Sequence, residues 1–421
     1  YLQFLDVLPF FQLFKQIQLN IIIIFLSFTL HYELKRVLYK INILNINWEM
    51  ILMKTEAILT TNNNPFEKTN IELNDIQEDE VLVKVIATGV CHTDATVINN
   101  EMPTPKPVVL GHEGAGIVEK VGAHVKTLKE GDHVVLGFSY CGHCDNCLEG
   151  KSGACENMTE LNFLGKNEDG ETPIHNEDGE DIAQFFGQSS FAHYSVVKET
   201  NAVKVSNDVD LRYLGPLGCG FMTGSGTVLN ALNPKAGSSI AVFGTGAVGL
   251  SAIMAARLVG CTTIIAVDIH DSRLELAKEL GATHTINSTN VVAEDKIKEI
   301  TGKGVKYAVE TTGVPEVTLS SVRSLSVSGE CATVAVGSRD LTFNVTEEIM
   351  VPGKTLKGVI EGDSNPHIMI PKLVTFFKQG NFPIDKLIKF YNLDTIADAF
   401  EDSKSGQTIK PVLIIDDTYQ A

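Results

Sequence analysis

The chain has 421 residues, 44% hydrophobic and 20% charged, with 35 glycines and a formal net charge of −18. That length suits two domains with a possible appendage, and the composition is that of a soluble globular protein. The acidic balance argues against nucleic acid or an anionic membrane surface as a partner, since either would repel it, so any anionic ligand must be held by local features. Four of the eight cysteines fall within fifteen residues, at Cys141, Cys144, Cys147 and Cys155. In a chain of this size such crowding reads as metal ligation in a reducing compartment rather than as a disulfide framework.

Residues 1–52 differ in kind from the rest. They contain no Gly, Ala or Cys and are crowded with Phe, Ile, Leu, Asn and Lys. The apolar run Ile17 to Leu30, followed by His31, Lys35, Arg36 and Lys40, has the look of a signal anchor. It is short, however, for a span that needs about 20 apolar residues. The bias is also what translated AT-rich upstream DNA would give. The expectation is therefore a leader outside the native fold, with Met53 opening the enzyme's first strand, and a cytoplasmic location rests on it.

From Met53 to Gly220 the pattern is strands and turns. Val81 to Thr88, Val108 to Leu110, Ile117 to Val121 and Val134 to Leu136 are β-branched runs punctuated by glycines. Two constellations stand out. Cys91-His92-Thr93-Asp94, Gly111-His112-Glu113-Gly114 and Gly218-Cys219-Gly220 together offer two thiolates and one imidazole, a set that suits tetrahedral zinc with one open position. An alcohol bound there would lose its proton near neutral pH, because the cation stabilises the alkoxide. The second, Cys141-x2-Cys144-x2-Cys147-x7-Cys155, supplies four thiolates that can close a metal shell by themselves. Structural zinc, an iron–sulfur cluster and two disulfides all remain compatible with that spacing.

Residues 221–360 alternate strand and helix. Ser239 to Phe243 reads as a buried strand, running through Gly244-Thr-Gly246-Ala-Val-Gly249 into a helix at Leu250 to Val259. In that setting the glycines permit the turn and a close approach, and the helix start receives a pyrophosphate. Asp268 ends the next strand, Thr263 to Val267, where an acid accepts ribose hydroxyls and repels a 2′-phosphate, predicting NAD over NADP. Arg273 lies nearby. Further strands are expected at Ala282 to Ile286, Val305 to Val309, Ala332 to Val336 and Thr355 to Ile360, making the six of a doubly wound sheet. Residues 361–421 carry an amphipathic stretch (Pro371 to Gln379), a segment Ile384 to Leu393, a helix (Ile396 to Ser403) and a last strand (Lys410 to Ile415) that returns to complete the first domain.

From Met53 onward, both cysteine motifs and the glycine motif together resemble the zinc-containing medium-chain alcohol dehydrogenases. Gly215-Pro-Leu-Gly-Cys-Gly220 and Thr223-Gly-Ser-Gly-Thr227 are similar to the aryl (benzyl) alcohol type. The resemblance implies a GroES-like β-rich catalytic domain (53–220 and 361–421) and a Rossmann parallel-sheet coenzyme domain (221–360), with the site in the cleft between them. It implies that Cys91, His112 and Cys219 hold catalytic Zn2+, with Glu113 beside it, and that Cys141, Cys144, Cys147 and Cys155 hold a structural one. It makes Thr93 the hydroxyl that takes the alcohol proton, and places His92 and Lys410 on the coenzyme pyrophosphate. Gly244, Gly246, Val248 and Gly249 form the dinucleotide turn, Asp268 and Arg273 meet the adenosine ribose, and Val334 and Val336 pack against the nicotinamide. One departure is Thr96, where some relatives end the proton relay in a histidine.

The function implied is reversible, NAD-linked oxidation of a small primary alcohol. Phe138, Phe185 and Phe186 fall where the family lines its substrate pocket, which favours an aromatic alcohol. The long acidic stretch Leu161 to Ile182 points to a homodimer, with a tetramer as the alternative. Competing expectations are a glutathione-dependent formaldehyde dehydrogenase, a polyol or threonine dehydrogenase, and a catalytically silent zinc- or NAD-binding module.

Overall fold

The computed structural model describes residues 52–337 and 339–421. The leader and its apolar run lie outside them, apart from Leu52. The described part opens with the strand Met53–Thr60 and forms one compact unit. Among the described residues no helix is long and apolar enough to cross a membrane.

Two β-systems build the first half. A closed five-stranded barrel joins Met53–Thr60, Glu67–Leu73, Ile174–His175, Asp181–Gln184 and Val108–Val109. The acidic stretch after Leu161 thus contributes the hairpin that closes this barrel. The second sheet runs Ala202–Lys204, His133–Leu136, Gly114–Val121, Glu80–Gly89, Lys410–Ile414 and Ile388–Asn392, with Tyr194–Lys198 also on Glu80–Gly89. Its central strand is mostly apolar, and Val81, Val83, Val85 and Ala87 are fully buried, while Lys84 reaches the surface to pair with Asp416. Strand Lys410–Ile414 pairs antiparallel with it, Val412 opposite Gly89. The end of the chain is thereby set beside Cys91.

The second half is a six-stranded, wholly parallel sheet in the order His284–Asn287, Thr263–Asp268, Ser239–Phe243, Val305–Glu310, Leu325–Thr333 and Thr355–Gly358. The helices Ala247–Leu258, Asp271–Leu280, Ala293–Thr301 and Pro315–Arg323 alternate with its strands. The order reverses beside Ser239–Phe243, and a doubly wound sheet opens its ligand crevice at the carboxyl ends of the strands where this happens. One expected strand needs correction. The apolar run Ala332 to Val336 is only the tail of Leu325–Thr333, and Val334 and Val336 lie in the loop beyond. Ser328 at φ 57° and Gly329 hid the earlier part, because neither has strand propensity.

The halves are locked by the helix Gly220–Gly226 packed on Ala247–Leu258. A Cβ at Gly224 would sit 1.9 Å from the Val248 carbonyl, so only glycine allows this approach.

Candidate active site

Cys91 follows the strand Glu80–Gly89 and caps the helix His92–Ile98. The third residue of that helix, Asp94, is fully buried and organises what surrounds it. Its carboxylate accepts the Cys91 amide at 3.0 Å, the Gly111 amide at 3.1 Å and His112 Nδ1 at 3.0 Å. With Nδ1–H committed to a carboxylate, Nε2 keeps its lone pair. That Nε2 is buried and has no hydrogen-bond partner among the described residues. Nε2 is therefore free to ligate. One ligand atom each from Cys91, His112, Glu113 and Cys219 lies within 4.8 Å of the others. A hydrogen bond from Cys219, with the Lys410 ammonium behind it, holds the Cys91 thiol well below its ordinary range against the penalty of burial. Cys219, pushed up by that bond and by burial, is the thiol of the pair, so holding both sulfurs as thiolates takes a divalent cation, and the orphaned imidazole nitrogen needs a partner. Zinc meets both requirements.

Glu113 is compensated separately. Both its oxygens lie 2.9 Å from Lys410 Nζ, and Gly220 N–H donates to Oε1 at 3.3 Å. A Cβ at Gly89 would fall 1.9 Å from Glu113 Oε2, so glycine there makes room for the carboxylate. Lys410 also donates to the Val90 carbonyl at 3.2 Å. The structure thus places the Lys410 ammonium on the carboxylate beside the metal position, at the inner end of the coenzyme cleft. The Thr93 hydroxyl lies 3.7 Å from the Cys91 sulfur. The Thr96 hydroxyl donates to the Thr93 carbonyl at 2.8 Å inside the same helix, so it is occupied locally.

Phe185 and Phe186 enclose the ligand imidazole. Phe186 stacks on His112 with centroids 4.6 Å apart, and Phe185 meets it edge-on at 5.5 Å. Phe163, not singled out by the sequence, completes the cage against both rings. Phe138 is buried against Tyr140. None of these rings lines the open coenzyme cleft described below. They form an apolar wall on the barrel side of the metal position.

Sulfurs of Cys141, Cys144, Cys147 and Cys155 converge within 4.8 Å of one another, and all eight cysteines are free, which removes the disulfide reading. Backbone amides point at the sulfurs: Cys144 N–H at Cys141 Sγ (3.3 Å) and Cys141 N–H at Cys155 Sγ (3.4 Å). Amides from Glu156 and Cys147 bring the Cys144 thiol down to about 6. Such donors stabilise thiolates, the state in which sulfur ligates metal.

A cleft of about 470 Å³ runs from this metal end to the tip of the parallel sheet. Cys91, His92, Gly220 and Lys410 line one end, Gly246 and Val248 the middle, and Asp268 and Arg273 the other. Gly244 adopts φ +85°, and a Cβ at Gly249 would sit 1.8 Å from the Gly244 carbonyl. A Cβ at Gly246 would meet no protein atom within 4 Å. The helix Ala247–Leu258 has no side-chain cap, leaving its first amides for an anion. These features fit a dinucleotide. Gly246→Val should therefore fold with an unchanged melting midpoint yet bind reduced nicotinamide dinucleotide roughly tenfold or more weakly, because the added methyls occupy the phosphate path. Thermal melting and fluorescence titration separate the two effects. Asp268 already accepts Thr245 N–H (2.6 Å), Ile269 N–H (2.7 Å) and His270 N–H (3.0 Å), which fixes its carboxylate at the cleft rim. Arg273 Nε is buried without a partner among the described residues.

A four-thiolate site, a two-thiolate site with imidazole, and a dinucleotide cleft joining the second of these to a parallel sheet define a zinc-dependent dehydrogenase. Residues 77–207 match the alcohol dehydrogenase GroES-like domain and residues 247–379 the zinc-binding dehydrogenase domain. The chain belongs to the zinc-containing medium-chain alcohol dehydrogenase family, whose cofactors are zinc and a nicotinamide dinucleotide. It is 40% identical to geraniol dehydrogenase of Castellaniella defragrans over 85% of this chain and 96% of that one. It is 45% identical to the crystal structure of benzyl alcohol dehydrogenase from Acinetobacter calcoaceticus, covering 87% of this chain and 100% of that one at a TM-score of 0.83. A zinc-binding alcohol dehydrogenase domain protein from Burkholderia ambifaria is 48% identical, with the same coverage and a TM-score of 0.84.

Proposed function

We propose that the chain is an NAD-dependent dehydrogenase of primary, preferentially aromatic, alcohols, and that it runs reversibly between alcohol and aldehyde. The observation that carries this reading is the single cleft holding Cys91 at one end and Asp268 at the other. Such a cleft lets one extended dinucleotide reach the metal position with its nicotinamide while Asp268 takes the ribose hydroxyls. Bound zinc would supply the Lewis acid that acidifies the alcohol, and bound nicotinamide the hydride acceptor.

The chain's own residues do the rest. Cys91, His112 and Cys219 hold the cation, and Asp94 keeps the imidazole turned to it. Thr93 accepts the alcohol's hydroxyl proton. With Thr96 engaged locally, the proton leaves through water past exposed His92 at the cleft wall. Gly244, Gly246, Val248 and Gly249 seat the pyrophosphate, and the loop of Val334 and Val336 backs the nicotinamide. Phe138, Phe185 and Phe186 exclude water and give the substrate side its aromatic character, in keeping with the benzyl alcohol and geraniol enzymes among its relatives. The same reading makes residues 53–220 and 361–421 the catalytic domain around 221–360, and the active form a cytoplasmic homodimer.

The test is NADH formation from benzyl alcohol and from ethanol, repeated with NADP. Benzyl alcohol should turn over faster than ethanol. NADP should be poorer than NAD by about a hundredfold, because a 2′-phosphate would meet the Asp268 carboxylate. If neither alcohol reacted in protein carrying both zincs, the substrate reading would be withdrawn.

A further inference from the structure

The sheet that leads to His112 contains a fork. Strand Gly114–Val121 pairs with His133–Leu136, Ala115 lying opposite Val135, and the pairing goes no further. One arm runs back from Gly114 to Glu113 and His112, and the other runs on from Leu136 through Gly137 towards Cys141. The side chain of Gln188, fully buried, fills the gap between them. Its Nε2 donates to the His112 carbonyl at 3.0 Å and to the Gly137 carbonyl at 3.2 Å, and its Oε1 accepts the Gly114 amide at 3.2 Å. Both amide protons and one acceptor position are thus used on backbone groups just where the ladder has stopped.

The opening of this fork bears on the metal position. The turn Gly215–Gly218, which delivers Cys219, rests on both arms. A Cβ at Gly215 would lie 2.1 Å from the Glu113 carbonyl, and one at Gly218 would lie 2.0 Å from the Leu136 carbonyl. Neither arm can close on the turn without a clash. The separation of His112 from Cys219 therefore follows the spacing of the arms, and one amide spans that spacing.

Gln188 also ties in the aromatic wall. It follows Phe185 and Phe186 in a turn where Phe186 and Ser189 take φ of 53° and 50°. Left-handed backbone is strained for residues with a side chain, so this turn persists because its surroundings impose it. The Ser189 hydroxyl supplies one restraint, accepting the Phe185 amide at 2.8 Å and donating to the Val109 carbonyl at 2.6 Å. Gln188 supplies the link to the strand of the ligand imidazole. An apolar side chain of equal length could fill the same space, but it would leave the two arms unjoined and the Gly114 amide without its acceptor. We propose that Gln188 is a positioning residue for the reaction, whose amide spans the fork and so sets the distance across which His112 and Cys219 face one metal ion.

The inference rests on the metal reading of Cys91, His112 and Cys219. Cobalt tests it, because its visible absorption reports the geometry of its ligands. Wild type, Gln188→Met and Gln188→Glu are prepared with cobalt at that site and zinc on the four cysteines. Gln188→Met should shift the cobalt bands, release cobalt to a chelator about tenfold faster and lower kcat per bound cobalt about tenfold, as small misplacements at a reacting centre do. KM for NAD and the release of zinc from the four cysteines should stay within about twofold of wild type. Gln188→Glu, which as a neutral acid donates once and accepts once, joins only one arm and should recover part of each change. A lower melting midpoint in Gln188→Met, with wild-type cobalt bands and release rate, would make Gln188 merely structural and overturn the proposal. Should Gln188→Met fail to fold, Gln188→Glu decides alone: shifted bands with faster release support the proposal, and wild-type values overturn it. Failure of the wild type to hold cobalt beside His112 would refute the metal reading itself, and this inference with it.

Discussion

Changing Cys219 to serine should lower alcohol oxidation about a thousandfold and bound zinc from two per chain to one. The size follows from chemistry. The Lewis acid supplies several kcal/mol of stabilisation to the developing charge, and each 1.36 kcal/mol is about tenfold in rate. A serine hydroxyl does not ionise readily, so the buried cation would face one thiolate instead of two. Cys219 sits in a turn between the segments Gly215–Gly218 and Gly220–Gly226, and serine is its nearest match in size, so the fold should survive. Metal analysis and steady-state kinetics on the same preparation are the measurement. Full activity with one zinc per chain would show that the metal near His112 is not the reactive one.

The second large effect is on stability. Cys155→Ser should lower the melting midpoint by roughly 10 °C or more, because a structural zinc contributes about 10 kcal/mol or more of apparent folding energy, part of which the remaining ligands retain. The damage should also reach the end of the parallel sheet. The turn Ser152–Ala154 presses on the loop that carries Glu361, where a Cβ at Gly153 would lie 2.6 Å from the Ile360 carbonyl. Asn365 Nδ2 bonds Ser152 Oγ at 3.3 Å on the same face. An unchanged midpoint would mean that the lobe holds its shape without the metal.

How much was legible depended on sequence distance. The four cysteines lie within fifteen residues, so their convergence was readable from spacing alone. Cys91, His112 and Cys219 are scattered, so the sequence offered them as a ligand set by residue type, and the resemblance to a family then assigned them to one catalytic zinc. Asp94 was passed over, although an acid three residues after Cys91 at the start of a helix is a visible capping signal. The glycine turn and Asp268 were legible because strand, turn and helix follow one another locally. Glu361 was passed over too, since the side chain it bonds, Thr223, lies on a helix more than a hundred residues earlier. For Lys410 the family resemblance implied a pyrophosphate. Only the strand pairing that sets it beside Gly89 shows its ammonium turned to Glu113. The aromatic residues were legible as a cluster but not in their orientation, because a ring's facing depends on neighbours from other strands.

The bond from Lys410 to the Val90 carbonyl spans 320 positions of the chain. A ribosome making this protein releases Cys91, His112 and Cys219 long before the strand Lys410–Ile414 that closes over them. The parallel sheet is synthesised in between and can fold while the reactive centre is still open on one side. Until that strand docks, Glu113 lacks its counter-charge and two thiolates stand without their final cover. The four-cysteine lobe, by contrast, emerges as one short piece with every sulfur in hand. The two sites are therefore completed at different points of synthesis, the four-cysteine one early and the reactive one only when the chain is nearly finished.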